Sequence, residues 1–279
     1  MSDNSRAPKE GEWRPPIIRG FYERSLAGIL LTLVGRAADI PIQYLLFKNG
    51  HAVNLLVRVG LISQPAVAQA ALTTGPGFGG LGPVPTLLLG IYTVTSMRHM
   101  YWVTMTNTMY FGPAGAAFVS IYNGLLNAAN TFVAAYGASN LVQAAANATS
   151  ADSIVGWATS LGWQQWTGLG LFLSGIAIEM LSEESRKKFK SDPRNKGKVD
   201  GTGLFGVVRH PNYLGYTLWR TGATLATGSV PAAIVSLLFQ VNQFSRSIPG
   251  LTEYMADRYG QQWTEYEKRV PYKIIPGLY

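Results

Sequence analysis

One short segment, Arg209–Tyr213, concentrates side chains that could bind a ligand; it reads Arg-His-Pro-Asn-Tyr. It offers a guanidinium, an imidazole, an amide and a phenol, and its proline fixes the backbone between them. The loop before it, Arg186–Lys198, contains seven basic residues and one acid. Such clustered donors suit a phosphate-bearing ligand. We therefore predict a ligand-binding site at this turn, with a solvated, membrane-anchoring basic loop as the alternative.

A second cluster of polar side chains lies in an apolar segment further upstream. Arg98, His99, Tyr101 and Trp102 fall within about a turn and a half of helix. Charged groups at membrane depth are costly and rarely face lipid away from the interface. Anchoring at the interface accounts for Trp102 but less well for the other three together. A functional role for at least one of them and simple anchoring both stay open.

The composition favours an integral membrane protein. Of 279 residues, 47% are hydrophobic and only 14% are charged, whereas soluble domains carry about a quarter charged residues. Much of the net charge of +8 lies in loops beside apolar runs, which the positive-inside bias explains without a nucleic-acid partner. The absence of cysteine excludes disulfides and thiolate chemistry, and no metal site is predicted. The polar, proline-rich start does not resemble a cleaved signal peptide.

The apolar segments predict an all-α fold. We expect a polytopic membrane bundle of about seven transmembrane helices, followed by a cytosolic amphipathic C-terminal tail. The predicted regions are a disordered tail over 1–20, transmembrane helices on the substrate side over 21–150, and a cofactor-binding region over 151–279. The predicted spans run from about Ser25 to Phe47, His51 to Leu72, Val84 to Thr106, Ala114 to Tyr136, Ser153 to Ser182, Leu214 to Thr227 and Val230 to Ser245.

Two topological signals predict the orientation. The basic loop Arg186–Lys198 is expected on the cytosolic side. A glycosylation acceptor pattern, Asn147-Ala148-Thr149, lies one predicted crossing away and would therefore face a lumen. The two signals agree, so the ligand-binding turn is predicted to face the cytosol.

Polar residues inside the predicted spans should face other helices. Arg36 and Asp39 lie three residues apart and therefore share a helix face, which predicts an ion pair rather than a substrate contact. Asn123, Asn127 and Asn130 form a stripe on another helix. Asparagine in a membrane needs hydrogen-bonding partners. We interpret the stripe as a helix–helix contact, with a polar cavity as the alternative.

A glycine-rich loop resembles a dinucleotide-binding fingerprint only by its letters. Gly77-x-Gly79-x-x-Gly82 has the required spacing, but the fingerprint works between a strand and a helix. Membrane-like segments flank this loop, and Pro83 and Pro85 follow at once. We predict a flexible loop and no Rossmann fold.

A longer pattern surrounds the Arg-His-Pro-Asn-Tyr turn. Glutamates stand at 179 and 183, Asn-Lys-Gly-Lys at 195–198 and Thr-Gly-Leu-Phe at 202–205, and Arg-Val-Pro at 269–271 with Ile-Pro at 275–276 continues the pattern. It resembles the steroid 5-alpha-reductase C-terminal superfamily, most closely its short microbial and fungal branch. The resemblance covers about the last 105 residues.

This resemblance implies a membrane reductase of the endoplasmic-reticulum type. NADPH would reduce a carbon–carbon double bond conjugated to a carbonyl in a lipophilic substrate such as a steroid, terpenoid or polyketide, while a phenol or imidazole polarises the carbonyl. Besides membrane lipids, no other partner is implied. By position, the implied catalytic residues are Tyr101, as proton donor, and His99. The implied cofactor contacts are Asn212 near the nicotinamide, Glu179 and Glu183 near the ribose or adenosine, Lys187, Lys190, Arg246 and Tyr254 near the phosphates, and Arg209, His210 and Tyr213 around them.

Departures from the superfamily pattern keep other functions open. The reductases usually carry a glutamate where this chain has Tyr216. Isoprenylcysteine and phospholipid methyltransferases share the Arg-His-Pro-x-Tyr-x-Gly turn and bind S-adenosylmethionine in an equivalent place. They usually show a Glu-Glu pair after an arginine, where this chain has Glu253-Tyr254 after Arg246. A methyltransferase is therefore the main alternative, and a scaffold homologue without hydride chemistry, such as an isomerase, a cyclase or a non-enzyme, is a third.

Overall fold

The computed structural model describes residues 17–18, 23–139 and 154–279. They are mostly helical, with one short antiparallel strand pair, so the all-α prediction is confirmed. The predicted tail over 1–20 and the Asn147 acceptor pattern lie outside the described residues, apart from 17–18. The elements are β1 (Ile17–Ile18), α1 (Leu26–Lys48), α2 (His51–Arg58), α3 (Pro65–Thr73), α4 (Pro83–Tyr101), a π-helical turn (Trp102–Thr106), β2 (Tyr110–Phe111), α5 (Pro113–Ser139), α6 (Ile154–Thr159), α7 (Trp163–Ser191), 3₁₀ turns at Pro193–Asn195 and Gly203–Gly206, α8 (Pro211–Leu225), α9 (Val230–Tyr259) and α10 (Gln261–Arg269).

The second predicted span is wrong as a single helix. The segment forms α2 and α3, with 8 and 9 residues, separated by a turn. Gly60 adopts a left-handed conformation in this turn, with φ of 76°, and Pro65 starts α3. A helix of that length rises only about 12 to 14 Å, whereas the membrane core measures about 30 Å.

Other predicted boundaries also shift. The fifth span was expected from Ser153, but α7 begins at Trp163 and continues to Ser191. The last predicted span ends at Ser245, whereas α9 continues to Tyr259. Within the described ranges, one helix, α1, is long and apolar enough to cross a membrane by length and composition alone. The prediction of seven spans is therefore not confirmed.

The chain divides into two compact units, Met1–Gly162 and Trp163–Tyr279. In the first unit, the helices α1, α4 and α5 pack around polar side chains. Arg36 is completely buried and lies 3.2 Å from the Asp39 carboxylate, which confirms the predicted ion pair. Asp39 also accepts hydrogen bonds from Gln43 Nε2 (3.0 Å) and Asn127 Nδ2 (2.7 Å). These bonds satisfy a carboxylate that would otherwise be costly to bury.

The first unit carries apolar side chains on its surface and buries polar side chains between its helices. Val34 on α1 and Leu125 on α5 are each 66% exposed, while Asn123, Asn127 and Asn130 are buried. A soluble protein keeps such apolar side chains inside and asparagines mostly outside. The reversed distribution is the arrangement expected when hydrocarbon surrounds the helices.

In the second unit, α7 and α8 approach each other closely through paired glycines. Gly168 and Gly175 on α7 face Gly222 and Gly215 on α8, respectively. A Cβ atom added to Gly168 would lie 2.7 Å from the Gly222 carbonyl oxygen, and one added to Gly215 would lie 2.7 Å from the Gly175 carbonyl oxygen. Small residues allow helix backbones to meet in this way. This close contact places the start of α8 beside the C-terminal half of α7, which is the half predicted to lie toward the cytosol.

Candidate ligand-binding site

The Arg-His-Pro-Asn-Tyr turn forms the N-terminal end of α8. Pro211 is the first helical residue, a position that favours proline because its missing N–H would be unbonded there anyway. The backbone before it pairs with the C-terminal segment. The Arg209 N–H donates to the Tyr272 carbonyl oxygen at 2.9 Å, and the His210 N–H donates to the Lys273 carbonyl oxygen at 2.8 Å. The turn is thus fixed on both sides.

His210 is buried with an imidazole nitrogen that lacks a partner. Its Nε2 atom has no hydrogen bond within the described parts of the chain. The ring stacks on Tyr213 with centroids 5.3 Å apart. Burial, together with the positive charges of Arg186, Arg209 and Lys273, lowers the pKa of His210 from 6.5 to about 3. The imidazole is therefore neutral at physiological pH, so it can exchange hydrogen bonds with a ligand but cannot serve as a general acid.

The depressed pKa of His210 predicts a loss of stability in acid. Because the unfolded chain binds the proton first, this stability is fully present above about pH 6.5 and declines between pH 6.5 and 3, by at most about 1.4 kcal/mol per pH unit. The melting temperature of the native protein should therefore fall more steeply from pH 7 to 5 than that of His210→Gln. His51→Gln, at an exposed position, is the control and should keep the native slope. Parallel slopes for the native protein and His210→Gln would contradict the prediction.

Asn212 and Arg209 also present atoms without partners. Asn212 Oδ1 and Arg209 Nε are buried and accept or donate no hydrogen bond within the described parts of the chain. The rest of the Arg209 guanidinium pairs with Glu267 and donates to the Pro271 carbonyl oxygen at 3.4 Å. An amide acceptor, a guanidinium donor and a neutral imidazole therefore occur together. Buried polar atoms are normally bonded, so these three neighbouring side chains are candidates for contacts with a ligand.

Tyr216 stands where the superfamily pattern usually has a carboxylate, and it belongs to an aromatic cluster. Its ring packs edge-on against Trp219 at 4.9 Å and Phe244 at 5.7 Å. Its hydroxyl accepts from Arg220 Nε at 3.3 Å, and the Arg220 guanidinium lies 4.3 Å from the Trp219 ring centroid. Tyr213 stacks on Phe244 at 4.2 Å on the other side. The position is therefore filled by aromatic packing and offers a phenol in place of a carboxylate.

The two predicted acids lie on α7, and one of them contacts α8. Glu179 is buried, and its Oε2 accepts a 2.7 Å hydrogen bond from Trp219 Nε1. Glu183 lies one turn further along the helix and is partly buried. At least one Glu179 oxygen is thus used in holding α7 against α8. A contact of either acid with a ribose stays a prediction.

Several residues predicted to meet phosphate have protein partners. Lys190 Nζ donates to the Lys198 carbonyl oxygen at 3.0 Å and to the Tyr259 hydroxyl at 2.7 Å, and so closes the basic loop onto α9. Arg246 donates to Asn242 Oδ1 at 3.1 Å, and the Tyr254 hydroxyl accepts from Arg258 at 2.8 Å. Lys187 lies 3.9 Å from Glu184. Their roles toward phosphate stay predictions.

The structure adds residues that were not assigned to the site from the sequence. The Arg186 guanidinium lies 4.8 Å from the Phe205 ring centroid, and the Tyr266 hydroxyl donates to the Phe205 carbonyl oxygen at 2.7 Å. Burial raises the pKa of Tyr266 to about 12, so it remains a neutral donor. Lys273 reaches the site through its backbone contact with His210. In the sequence, Lys273 belongs to the Pro-Tyr-Lys segment that follows Arg269-Val270. Nothing in that segment indicated that its backbone pairs with Arg209 and His210.

The predicted catalytic pair lies in the first unit. His99 is buried on α4, and Tyr101 is 41% exposed at the end of this helix. The π-helical turn that follows is bonded from Asn107 N–H to the Trp102 carbonyl oxygen at 2.7 Å. Such turns change the direction of side chains and often occur at functional sites. The catalytic role of both residues stays a prediction.

Comparisons with known proteins place the chain in a family. Residues 85–270 match the family described as "protein of unknown function (DUF1295)". The chain is 30% identical over 243 residues to the probable O-methyltransferase ustE of Ustilaginoidea virens, covering 86% of this chain and 82% of the relative.

Two further similarities cover a smaller share of the chain. The protein-S-isoprenylcysteine O-methyltransferase of Schizosaccharomyces pombe is 28% identical over 104 residues, which is 37% of this chain and 44% of that protein. The Delta(14)-sterol reductase TM7SF2 of Mus musculus is 37% identical over 84 residues, which is 28% of this chain and 19% of that protein. The resemblance inferred from the sequence is confirmed: the chain belongs to the DUF1295 family, with homologues among isoprenylcysteine methyltransferases and sterol reductases.

Proposed function

We propose that this chain is an S-adenosylmethionine-dependent O-methyltransferase embedded in a membrane. The observation that carries the proposal is the similarity to a probable O-methyltransferase over 86% of the chain, which includes both structural units. Three sterol reductases, in contrast, match 28% to 46% of it. The aromatic surroundings of Tyr216 also favour this function over hydride transfer, because the carboxylate expected in a reductase is replaced there.

The residues of the turn fit such a cofactor. Asn212 Oδ1 can accept a hydrogen bond from an amino group, and Arg209 Nε can donate to a carboxylate. His210, as a neutral ring, completes the set. When bound, S-adenosylmethionine would supply an electrophilic methyl group. His210, with a pKa of about 3, is too weak a base to deprotonate a hydroxyl acceptor, whereas a carboxylate acceptor needs no deprotonation.

The helix surfaces support a lipophilic substrate and a membrane location. On α9, Val235 and Leu238 are 66% and 61% exposed, and the outer faces of α1 and α5 are similarly apolar. Single exposed apolar residues are normal, but extended apolar faces indicate an interaction surface. With polar side chains inside the first unit, hydrocarbon is the partner that fits. The basic loop then favours a cytosolic ligand side, in a membrane such as the endoplasmic reticulum.

NADPH-dependent reduction of a conjugated carbon–carbon double bond is the second candidate. It is favoured by three sterol reductases, whose identities of 32% to 37% exceed the 28% to 30% of the methyltransferases, although they extend over 84 to 144 residues against 243 for the probable O-methyltransferase. The same atoms fit part of this cofactor, since Asn212 Oδ1 can accept from a carboxamide and the basic side chains can meet phosphate. His210 is neutral and cannot protonate the substrate, so this function needs another proton donor, for which the resemblance implies Tyr101 together with His99.

Ligand binding to the purified full-length protein separates the two functions. We expect S-adenosylhomocysteine at about 100 times its Kd to stabilise the protein by about 2.7 kcal/mol and NADPH to have no effect. Asn212→Ala should weaken this binding by about tenfold or more, since a lost acceptor costs about 1 to 3 kcal/mol.

Gln262→Ala, which removes an exposed amide on α10, is the control and should bind normally. Stabilisation by NADPH alone would replace the proposal with the second candidate. Stabilisation by neither ligand would contradict both, and normal binding by Asn212→Ala would show that the turn is not the site.

A further inference from the structure

The C-terminal segment Pro271–Tyr279, here called the C-terminal clamp, follows residue 270, where the match to the family model ends, although Pro271 and Ile275-Pro276 continue the sequence pattern described above. It nevertheless holds the ligand-binding turn. Two backbone hydrogen bonds join Arg209 and His210 to the carbonyl oxygens of Tyr272 and Lys273 at 2.9 and 2.8 Å. The Arg209 guanidinium also donates to the Pro271 carbonyl oxygen at 3.4 Å. Every one of these bonds ends on a carbonyl oxygen of the clamp.

One buried side chain fixes the clamp to the second unit. Ile274 is 8% exposed and packs in a cluster with Phe244 and Ile248, against which Tyr213 and Tyr216 also pack. Because Tyr213 stacks on His210, the same cluster supports the clamp and the imidazole. The next residue, Ile275, is 41% exposed. Ile274 is therefore the anchor, and Ile275 is a matched neighbour without that contact.

The clamp also closes on itself. The N–H groups of Ile274 and Ile275 both donate to the Tyr279 carbonyl oxygen, at 2.7 and 2.8 Å. The Lys273 ammonium lies 4.5 Å from the centroid of the Tyr279 ring. The clamp itself forms no helix or strand. These contacts hold it in one conformation and keep the Tyr272 and Lys273 carbonyl oxygens directed at the turn.

We propose that the C-terminal clamp is a positioning element, anchored by Ile274, that holds the Arg-His-Pro-Asn-Tyr turn in its ligand-binding conformation. The clamp acts through the backbone of Arg209 and His210. Its removal would let the turn open, and the unpartnered atoms of His210, Asn212 and Arg209 would no longer be arranged together. That this turn binds a cofactor rests on the proposed function, but the mechanical coupling between clamp and turn does not.

Hydrogen exchange followed by mass spectrometry tests the coupling in the full-length protein without a ligand. In Ile274→Ala, amides in peptides covering 205–214 should exchange about tenfold or more faster, because weakened anchoring lowers the free energy of local opening. Ile275→Ala should exchange like the native protein. Equal exchange of this peptide in Ile274→Ala and Ile275→Ala would overturn the proposal.

Peptides from α7 control for general destabilisation. If Ile274→Ala accelerates exchange there as well, the same measurement is made on Ile274→Val, which keeps most of the packing. Faster exchange confined to 205–214 supports the clamp, whereas equally faster exchange in the α7 peptides overturns it. For whichever cofactor binds the native protein, Ile274→Ala should raise Kd by about tenfold, with Ile275→Ala unchanged. If no cofactor binds, the proposed function fails while the exchange result still decides the role of the clamp.

Discussion

Gly175→Leu is expected to prevent the second unit from folding. An added Cβ at Gly175 would lie 2.5 Å from the Gly215 carbonyl oxygen and 2.9 Å from Trp219 Cβ, so α7 and α8 could not keep their separation. Overpacking a core commonly costs about 1 to 3 kcal/mol, and here the obstacle is backbone, which cannot rotate away. Since total stability is about 5 to 15 kcal/mol, we expect little monodisperse protein after detergent extraction and size-exclusion chromatography.

Gly170→Leu is the matched control on the same helix. Nothing lies within 4 Å of an added Cβ at Gly170, and leucine favours helix over glycine by roughly 0.5 to 1 kcal/mol. This variant should be recovered like the native protein, with an equal or higher melting temperature. Normal recovery of Gly175→Leu would show that α7 and α8 do not pack through their glycines.

Asp39→Ala should strongly destabilise the first unit. It removes the anionic partner of a guanidinium that is completely buried, together with the acceptor of the Gln43 and Asn127 amides. Breaking one side of a buried ion pair costs about 3 to 5 kcal/mol. The expected result is a large fall in melting temperature or denaturant midpoint of the purified protein.

The double variant Arg36→Met with Asp39→Leu distinguishes the loss of the ion pair from the cost of leaving one buried charge unpaired. Because it removes both charges and keeps side-chain volume, it should be less destabilised than Asp39→Ala. Asp257→Ala, which removes an exposed carboxylate on α9, is the control and should change stability by no more than about 0.5 kcal/mol. A double variant as unstable as Asp39→Ala would contradict the interpretation that the unpaired buried charge dominates.

Local spacing was enough to predict the polar interior of the first unit. Arg36 and Asp39 share a helix face because they are three residues apart, and they form the predicted pair. The asparagine stripe on α5 is likewise buried, and Asn127 bonds to Asp39 on another helix, as expected for a helix–helix contact. In both cases the helical period alone decides which side chains can meet.

Composition was a poorer guide where backbone geometry decided the outcome. The segment from His51 to Leu72 is apolar enough to suggest a span, but Gly60 and Pro65 divide it into two short helices. Conversely, α7 and α9 extend into polar sequence, and on α9 two i,i+4 side-chain hydrogen bonds, Arg246 to Asn242 and Arg258 to Tyr254, support the polar part of the helix. The hydrophobicity of a segment therefore predicts whether it is buried or contacts lipid, but it does not predict where a helix begins and ends.

The sequence by itself determined the helical class, the family resemblance and the turn at Arg209–Tyr213, because these depend on residue type and short spacing. Only the tertiary structure decided that Gly175 faces Gly215, that Tyr216 is enclosed by Trp219 and Phe244, and that the C-terminal clamp bonds to His210. Contacts between residues distant in sequence, especially those made by backbone groups that every residue shares, leave no pattern in the order of side chains.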